Sequence, residues 1–225
     1  MKKDNPRLRF LLCDLDNTLY PPDSGVMPAV GQRMIRYIVE RVDLPPDEAE
    51  QLKLQYYRRY GTTMRGLILH HGIDPEDYLA FVHDVPLEGY IQPNPDLNTM
   101  LTGIHLRKAV FTNADREHAI RVLDLLGVRH HFERIVDVRD FGFNSKPHQS
   151  AYQCILDILD ARPDECAMVD DSAENLAPAK ALGMLTVLVG IESSPETVSR
   201  DGADMHIPNI LDLADAIRPW VKTNE

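Results

Sequence analysis

The sequence is poor in features typical of disulfide-bonded, zinc-binding or membrane-embedded chains. Its 225 residues include only three cysteines, Cys13, Cys154 and Cys166, which lie far apart. This spacing fits neither a disulfide framework nor a zinc knuckle, so we expect the cysteines to pack in a reduced interior. No adequate apolar stretch precedes Asp14, and no apolar run reaches the length of a membrane span. These absences predict a cytoplasmic protein without a membrane partner.

Positive charge is also scarce. The chain has 24 Lys and Arg against 35 Asp and Glu, which gives a formal net charge of −11, and it has no basic stripe. Binding of nucleic acid through the phosphate backbone is therefore not expected. A small anion could still be attracted where a metal ion reverses the local sign of the charge. With 44% hydrophobic residues, the composition is that of a globular protein.

The first apolar run, from Leu8 to Cys13, predicts a strand that is buried on both faces, and it stops at two carboxylates. Residues i and i+2 of an extended chain point to the same side, so Asp14 and Asp16 are expected to converge just beyond the sheet. Two close carboxylates repel each other and need a cation, a shared proton or strong hydrogen-bond donors. The alternative is that these residues only begin a turn.

The pattern then divides the chain into two parts. Residues 23–92 have helical periodicity and predict four helices, which begin near residues 26, 47, 62 and 75. From Pro93 onward, short apolar runs alternate with helical patterns, which is typical of a mostly parallel sheet. The sequence therefore predicts an α/β, Rossmann-like core formed by residues 1–22 and 93–225, with an inserted α-helical bundle over 23–92.

Within the core, the predicted strands after the first cover 107–112, 135–138, 166–169 and 185–189. The predicted helices cover 95–102, 115–127, a segment that begins at Pro147, 173–182 and 210–217.

Polar side chains that could take part in chemistry stand at or after the ends of the next three predicted strands. They are Thr112 and Asn113, then Lys146, then Asp170 and Asp171. The carboxyl ends of parallel strands form one edge of a sheet, and ligands bind there. A lysine next to a predicted helix N-terminus opposes the helix dipole. Lys146 is therefore expected to serve the site, by pairing with Asp14 and by holding a phosphate oxygen.

This collection of groups suggests phosphoryl transfer. Hard oxygen ligands favour Mg²⁺ over zinc or copper. Asp14 could attack phosphorus, and Asp16 could protonate the departing alcohol and later activate the water that breaks the aspartyl-phosphate. Thr112 and Lys146 would hold the phosphoryl oxygens.

Four motifs in the same order resemble those of haloacid dehalogenase superfamily phosphatases. They are Asp14-Leu15-Asp16-Asn17-Thr18, Phe111-Thr112-Asn113, Lys146-Pro147 and Val169-Asp170-Asp171-Ser172-Ala173-Glu174-Asn175. The resemblance implies that Asp14 is the nucleophile, that Asp16 is the acid/base with a metal-binding main-chain carbonyl, and that Asp171 is a direct Mg²⁺ ligand. Asp170 and Asn175 would be ligands or neighbours of ligands. The helical insertion resembles the cap domain of one large subgroup.

A closer resemblance is to the pyrimidine 5′-nucleotidase branch, which removes phosphate from nucleoside monophosphates such as UMP and CMP. It is carried by Asp-Asn-Thr-Leu-Tyr in the first motif, by Tyr60-Gly61-Thr62-Thr63-Met64-Arg65-Gly66-Leu67, and by Phe-Thr-Asn-Ala with His118-Ala119-Ile120-Arg121. Asn113, Arg65 and Tyr60 are the candidate substrate contacts. The alternative for Arg65 is an ordinary arginine on a helix surface, and the alternative for Tyr60 is an aromatic residue in the core of the cap.

Other functions are weighed against this one. A broad-specificity sugar-phosphate or phosphoglycolate-type phosphatase would use the same core residues, and only substrate preference, set by the cap, would distinguish it. A phosphorylatable regulatory domain is a remote alternative, because such domains are shorter and lack a cap. A dehalogenase would not need an acid at the position of Asp16. The histidines, including His70-His71 and His130-His131, lack ligand spacing and are expected to be structural or exposed.

Overall fold

The computed structural model describes residues 8–190 and 202–221, so parts of the predicted core at 1–7, 191–201 and 222–225 lie outside the described residues. Six parallel strands form one sheet in the order β3-β2-β1-β4-β5-β6. The strands are β1 (Phe10–Cys13), β2 (Arg107–Phe111), β3 (Arg134–Val136), β4 (Cys166–Asp170), β5 (Leu185–Val189) and β6 (Met205–Ile207). All four residues of β1 are buried, as expected of a central strand covered on both faces.

The register of the sheet places the ends of three strands at one level. Cys13 is paired with Val110 of β2 on one side and with Val169 of β4 on the other. The main-chain N–H of Asp14 continues this pattern and donates to the Val169 carbonyl at 2.9 Å. Asp14 therefore leaves the sheet directly beside Asp170, which confirms that the strand ends lie side by side.

The insertion between β1 and β2 contains four α-helices, as the periodicity predicts. They are α1 (Val26–Tyr37), α2 (Pro46–Tyr60), α3 (Thr63–His71) and α4 (Pro75–Val82). A π-helical turn, Ile38–Val42, extends α1. Asp74 caps α4 by accepting a hydrogen bond from the main-chain N–H of Glu76 at 2.9 Å, and Pro75 occupies the first helical position.

The remaining helices flank the sheet. They are α5 (Pro95–Gly103), α6 (Arg116–Leu126), α7 (Gln149–Leu159), α8 (Ala173–Leu182) and α9 (Leu213–Ile217). Asp115 caps α6, and Gly127 ends it in a left-handed conformation. Within residues 8–190 and 202–221, no helix has both the length and the apolar character needed to cross a bilayer.

Three predicted boundaries are wrong. The helix predicted from Pro147 begins at Gln149, because His148 is its extended N-cap residue and its main-chain N–H closes a turn onto Ser145. The third strand ends at Val136, where the main chain turns at Asp137. The closing helix is divided into a 3₁₀ turn, Ile210–Asp212, followed by α9. The sequence also gave no signal for β6, a three-residue edge strand with a histidine at its centre.

Helices α2 and α3 approach each other at Gly66. A Cβ atom at this position would lie 2.2 Å from Cγ of Tyr56, far inside van der Waals contact. Gly66→Ala is therefore expected to destabilise the protein by about 1–3 kcal/mol through overpacking, measured by urea denaturation. The control is Gly103→Ala at the end of α5, where a Cβ would meet no atom within 4 Å. The control should be neutral or slightly stabilising, and equal losses for both variants would contradict the packing argument.

Candidate active site

Lys146 is a fully buried charged group of the site. Its ammonium group donates to Asp14 Oδ1 at 2.8 Å, to Asp170 Oδ2 at 2.8 Å and to the Phe111 carbonyl at 2.7 Å. The side-chain amide of Asn113 holds the Lys146 backbone: Lys146 N donates to Asn113 Oδ1 at 2.8 Å, and Asn113 Nδ2 donates to the Lys146 carbonyl at 3.0 Å. The expected pairing of Lys146 with Asp14 is confirmed. All three ammonium protons are engaged by protein oxygens, so none is left for a phosphate in this arrangement.

Asp14 and Asp170 contact this ammonium group, and Asp171 lies beside them. One oxygen from each of Asp14, Asp170 and Asp171 lies within 4.8 Å of the others, and the group could hold a metal ion. Asp14 and Asp170 are buried, whereas Asp171 is exposed. One cation among three carboxylates leaves the cluster with an excess of negative charge, which a divalent cation would compensate.

The pKa values of the cluster reflect this excess. Burial raises the pKa of Asp14 well above its usual range; Lys146 opposes the rise, and Asp170 and Asp171 add to it. Desolvation and the charge of Asp170 raise the pKa of Asp171 to about 7. Burial alone would lower the pKa of Lys146, but the carboxylates of Asp14 and Asp170 raise it, so the amine stays charged.

Asp170 is held more completely than its two neighbours. Its Oδ1 accepts from the main-chain N–H of Ser172 at 2.9 Å and from Asn175 Nδ2 at 3.1 Å, while Oδ2 accepts from Lys146. Ser172 also caps α8, which begins at the next residue. In this arrangement Asn175 orients Asp170, and Asp171 is the carboxylate that remains open to solvent.

Thr18 joins the two acidic loops. Its hydroxyl donates to Asp14 Oδ2 at 3.0 Å and accepts from the main-chain N–H of Asp171 at 3.1 Å. Thr112 is buried at the end of β2, and its hydroxyl oxygen accepts from Ala114 N at 3.0 Å. The hydroxyl proton of Thr112 remains available for the pocket that this residue lines.

Asp16 is not part of the three-carboxylate cluster and is held by other donors. Its Oδ1 accepts hydrogen bonds from Tyr20 Oη at 2.5 Å and from His118 Nε2 at 2.9 Å. β1 ends at Cys13, so both Asp14 and Asp16 lie beyond the strand. Both side chains nevertheless line the same pocket.

The surroundings of Asp16 also set its charge. Burial alone would raise the pKa of Asp16, but His118, through its charge and its hydrogen bond, and the hydroxyl of Tyr20 outweigh burial and lower it. Asp16 therefore rests as a carboxylate, the form that accepts a proton from water. A phosphate dianion bound beside it adds a like charge and favours the protonated form, which is needed to give a proton to an alcohol.

A pocket of about 320 Å³ lies between the sheet edge and the inserted helices. The core contributes Asp14, Asp16, Thr112, Asn113, Asp171 and Asn175, and the insertion contributes, among others, Met27, Met34, Lys53, Leu54, Tyr57 and His83. Tyr60 and Arg65, the cap residues selected from the sequence, are not among the lining residues. The hydroxyl of Tyr60 instead forms a 2.5 Å hydrogen bond with His70 Nε2.

The sequence alone does not indicate that Lys53, Tyr57, His83 or His118 belongs to the site. Lys53 and Tyr57 are four residues apart and share one face of α2. This spacing can be read from the sequence, but the sequence does not show which face of a helix lines a pocket. His118 stood in a quoted motif, while its partner Asp16 lies 102 residues away along the chain.

The insertion rests directly on the loop that carries Lys146. Gly61, at the end of α2, has a positive φ of +79°, and a Cβ built there would lie 2.7 Å from Pro147 Cδ and 3.0 Å from the Lys146 carbonyl. The hydroxyls of Thr62 and Ser145 are 3.1 Å apart at the same contact. Only glycine permits both this backbone conformation and this approach.

Residues 8–183 match the family of haloacid dehalogenase-like hydrolases. The chain belongs to this family. It is 26% identical to Phosphate metabolism protein 8 of Saccharomyces cerevisiae, an alignment that covers 96% of this chain and 76% of the yeast protein. It is 31% identical to a phosphoglycolate phosphatase of Chromobacterium violaceum over 53% of this chain and 52% of that one.

Solved structures of the same family share the fold. A haloacid dehalogenase-type phosphatase from Thermococcus onnurineus superposes with a TM-score of 0.64 at 18% identity, covering 93% of this chain and 98% of the other. The L-2-haloacid dehalogenase of Xanthobacter autotrophicus gives a TM-score of 0.58 at 16% identity, covering 94% and 98%. These likenesses support the expected architecture, a parallel sheet with flanking helices and a helical insertion. With the family match, the relatives support a phosphatase of this family.

Proposed function

We propose that this haloacid dehalogenase-like hydrolase is a magnesium-dependent phosphomonoesterase that acts through an aspartyl-phosphate on Asp14, with pyrimidine nucleoside 5′-monophosphates such as UMP and CMP as substrates. The observation that carries the proposal is that Asp14 and Asp16 line the same pocket, with Asp14 Oδ1 2.8 Å from the Lys146 ammonium nitrogen. One carboxylate is thus held for attack on phosphorus and a second for proton transfer.

The donor set fits Mg²⁺. The cluster offers hard carboxylate oxygens with unbalanced negative charge. Asp14 and Asp171 would hold the ion, together with the main-chain carbonyl of Asp16. Asp170 would hold Lys146 in place, and Asn175 would orient Asp170. When bound, Mg²⁺ would neutralise charge on the phosphoryl group and on the cluster.

The residues of the chain then divide the reaction into two steps. In the first, a carboxylate oxygen of Asp14 bonds to phosphorus, the ester P–O bond breaks, and the departing alcohol takes a proton from Asp16. In the second, a water oxygen bonds to phosphorus, the bond to Asp14 breaks, and the water proton goes to Asp16. Thr112, with its free hydroxyl proton, stabilises phosphoryl oxygens.

The pocket wall supports a small substrate that carries a ring. Met27, Met34 and Leu54 supply apolar surface, Tyr57 supplies a flat aromatic face, and Lys53 supplies a cation. A base can stack on the phenol ring while a ring carbonyl faces the amine. Phosphoglycolate is the second candidate, because its carboxylate would pair with Lys53 and because a relative carries that name.

Phosphate release with Mg²⁺ from UMP, CMP, dTMP, AMP, GMP, phosphoglycolate and hexose phosphates tests the assignment. We expect the highest kcat/KM for UMP or CMP. A preference for phosphoglycolate or for sugar phosphates would move the function to the alternative and leave the catalytic residues in place. No release from any ester would overturn the proposal.

A pair of variants tests the pocket wall. Lys53→Met is expected to raise KM for the preferred nucleotide about tenfold, in line with the loss of one charge-assisted hydrogen bond. Arg65→Met is the matched control; it removes a cation of the insertion that lies outside the pocket lining. KM should not change in the control. A larger effect of Arg65→Met would restore the contact predicted from the sequence.

Protons and Mg²⁺ are expected to compete at Asp171. The pKa of Asp171 is about 7 in the folded chain and 3.8 without the surrounding structure, so the folded, metal-free chain binds a proton here more tightly than the unfolded chain. Its stability therefore falls as the pH rises between these two values. Bound Mg²⁺ would offset this loss of stability, because it compensates the charge of ionised Asp171. The increase in Tm on adding Mg²⁺ should therefore grow from about pH 6 to about pH 8, measured against EDTA, and Asp171→Asn should reduce both the increase and its pH dependence, because it removes a ligand that titrates. A shift independent of pH would contradict this assignment.

A further inference from the structure

Asp16 is anchored through only one of its two carboxylate oxygens. Oδ1 receives both hydrogen bonds, from Tyr20 Oη and His118 Nε2. Within residues 8–190 and 202–221, no protein donor reaches Oδ2. The side chain is 18% exposed and lines the pocket. The two oxygens are therefore distinct: one is fixed by the protein, and the other is free for a substrate or for water.

Asp115 holds the main chain of His118 and also the neighbouring ring of His83. Oδ1 of Asp115 accepts from the main-chain N–H of His118 at 2.7 Å, which sets the first turn of α6. Oδ2 of Asp115 lies 2.6 Å from His83 Nδ1. The His83 ring in turn stacks on His118, with ring centroids 4.3 Å apart and an interplanar angle of 24°. One carboxylate thus holds both the backbone of His118 and the ring that packs on its face.

A purely structural histidine would be arranged differently. The His118 side chain is fully buried, yet its Nδ1 has no hydrogen-bond partner among the described residues. A buried polar atom without a partner lowers stability, so this ring is a poor choice for stability alone. Among the residues that the structure describes, its side chain forms one hydrogen bond, to Asp16. Since a carboxylate oxygen only accepts, Nε2 carries the hydrogen of that bond.

We propose that His118, assisted by Tyr20, is a positioning residue that fixes Oδ1 of Asp16 and makes Oδ2 the oxygen that transfers protons. The proposal rests on the phosphatase function. When the ester P–O bond breaks, its electron pair passes to the alcohol oxygen, which takes its proton from Oδ2. When water later displaces Asp14 from phosphorus, Oδ2 receives the proton of the water, and the enzyme returns to its starting state.

The test compares two esters that differ in their need for a proton. An alkyl phosphate such as UMP requires protonation of the departing alkoxide, whereas p-nitrophenyl phosphate releases a stable phenolate. The constant kcat/KM reports the steps up to phosphoryl transfer and so isolates the departure of the leaving group. For His118→Leu we expect kcat/KM to fall about 100-fold or more with UMP, the scale of general acid catalysis, and less than about tenfold with p-nitrophenyl phosphate.

Two further variants separate positioning from folding. His118→Gln keeps a side-chain N–H donor and should recover part of the UMP activity. Tyr20→Phe removes the second donor to Oδ1 without changing the ring, and it should show a smaller loss with the same preference for the aryl ester. Tm without Mg²⁺ checks the fold of each variant. If His118→Leu does not fold, Tyr20→Phe alone decides.

Equal losses with the two esters, or full UMP activity in His118→Leu, would overturn the proposal. If the unaltered chain hydrolyses neither ester, the phosphatase function itself fails. That result is distinguishable because the positioning test requires an active parent enzyme.

Discussion

Asp14→Asn is expected to abolish phosphate release from every phosphomonoester while the protein remains folded. The amide is a poor nucleophile, so the loss should reach about 10⁴-fold or more in kcat, the scale seen when a covalent nucleophile is removed. The change also removes one of three carboxylates from a crowded cluster, and Lys146 keeps its bonds to Asp170 and to the Phe111 carbonyl. Tm should therefore be unchanged or raised.

Activity and stability measured on the same preparation separate the two effects. A variant that is inactive and also unfolded would say nothing about the nucleophile, so Tm must be reported beside the rate. Asp14→Asn with more than about a tenth of the parent activity would contradict covalent catalysis at this residue, because no other carboxylate of the cluster could replace it without moving the phosphate.

Lys146→Met is expected to cause the largest loss of stability. It leaves the buried carboxylates of Asp14 and Asp170 without their shared ammonium group. Removing one partner from a buried ionic group typically costs about 3–5 kcal/mol. The cost should be greatest at high pH and smaller at low pH, because protonation of the uncompensated carboxylates relieves it. Urea denaturation at several pH values measures this trend.

A double variant isolates the electrostatic cause. Lys146→Met combined with Asp170→Asn removes the ammonium group together with one of the carboxylates that it neutralises. We expect stability to recover in large part while activity stays low, since Asp14 still lacks its 2.8 Å contact with the lysine. If the double variant is as unstable as Lys146→Met, packing of the lysine side chain and not charge is the cause.

The sequence predicts the sheet edge well because the information there is local. Each strand that contributes to the site is a short apolar run followed by a polar residue. The first run ends at Cys13, before Asp14, and the run in β4 ends at Val169, before Asp170. Parallel pairing then brings these ends together without knowledge of any side-chain contact. The pairing of Lys146 with Asp14 follows from charge and position alone.

The features that the sequence could not show depend on contacts between distant elements. The direction of Asp16 is set by His118 of α6, which no local periodicity reveals. The aromatic ring of Tyr60 makes it a candidate substrate contact, but in α2 its hydroxyl contacts His70. Tyr57, three residues earlier, lines the pocket instead. Strand β6 is short, and its central histidine breaks the apolar pattern, so its place at the edge of the sheet comes from tertiary pairing.

The contact of Gly61 with the Lys146 loop limits how the insertion can be exchanged. A foreign helical segment grafted between β1 and β2 would have to present a residue without a side chain at this point, or it would be pushed off the loop. It would also need a flat ring where His83 covers His118. Other residues of the insertion that line the pocket, including Lys53 and Tyr57, take part in neither the Gly61 contact nor the His83 contact. Substrate selectivity could therefore be redesigned at these positions without a change in the reaction.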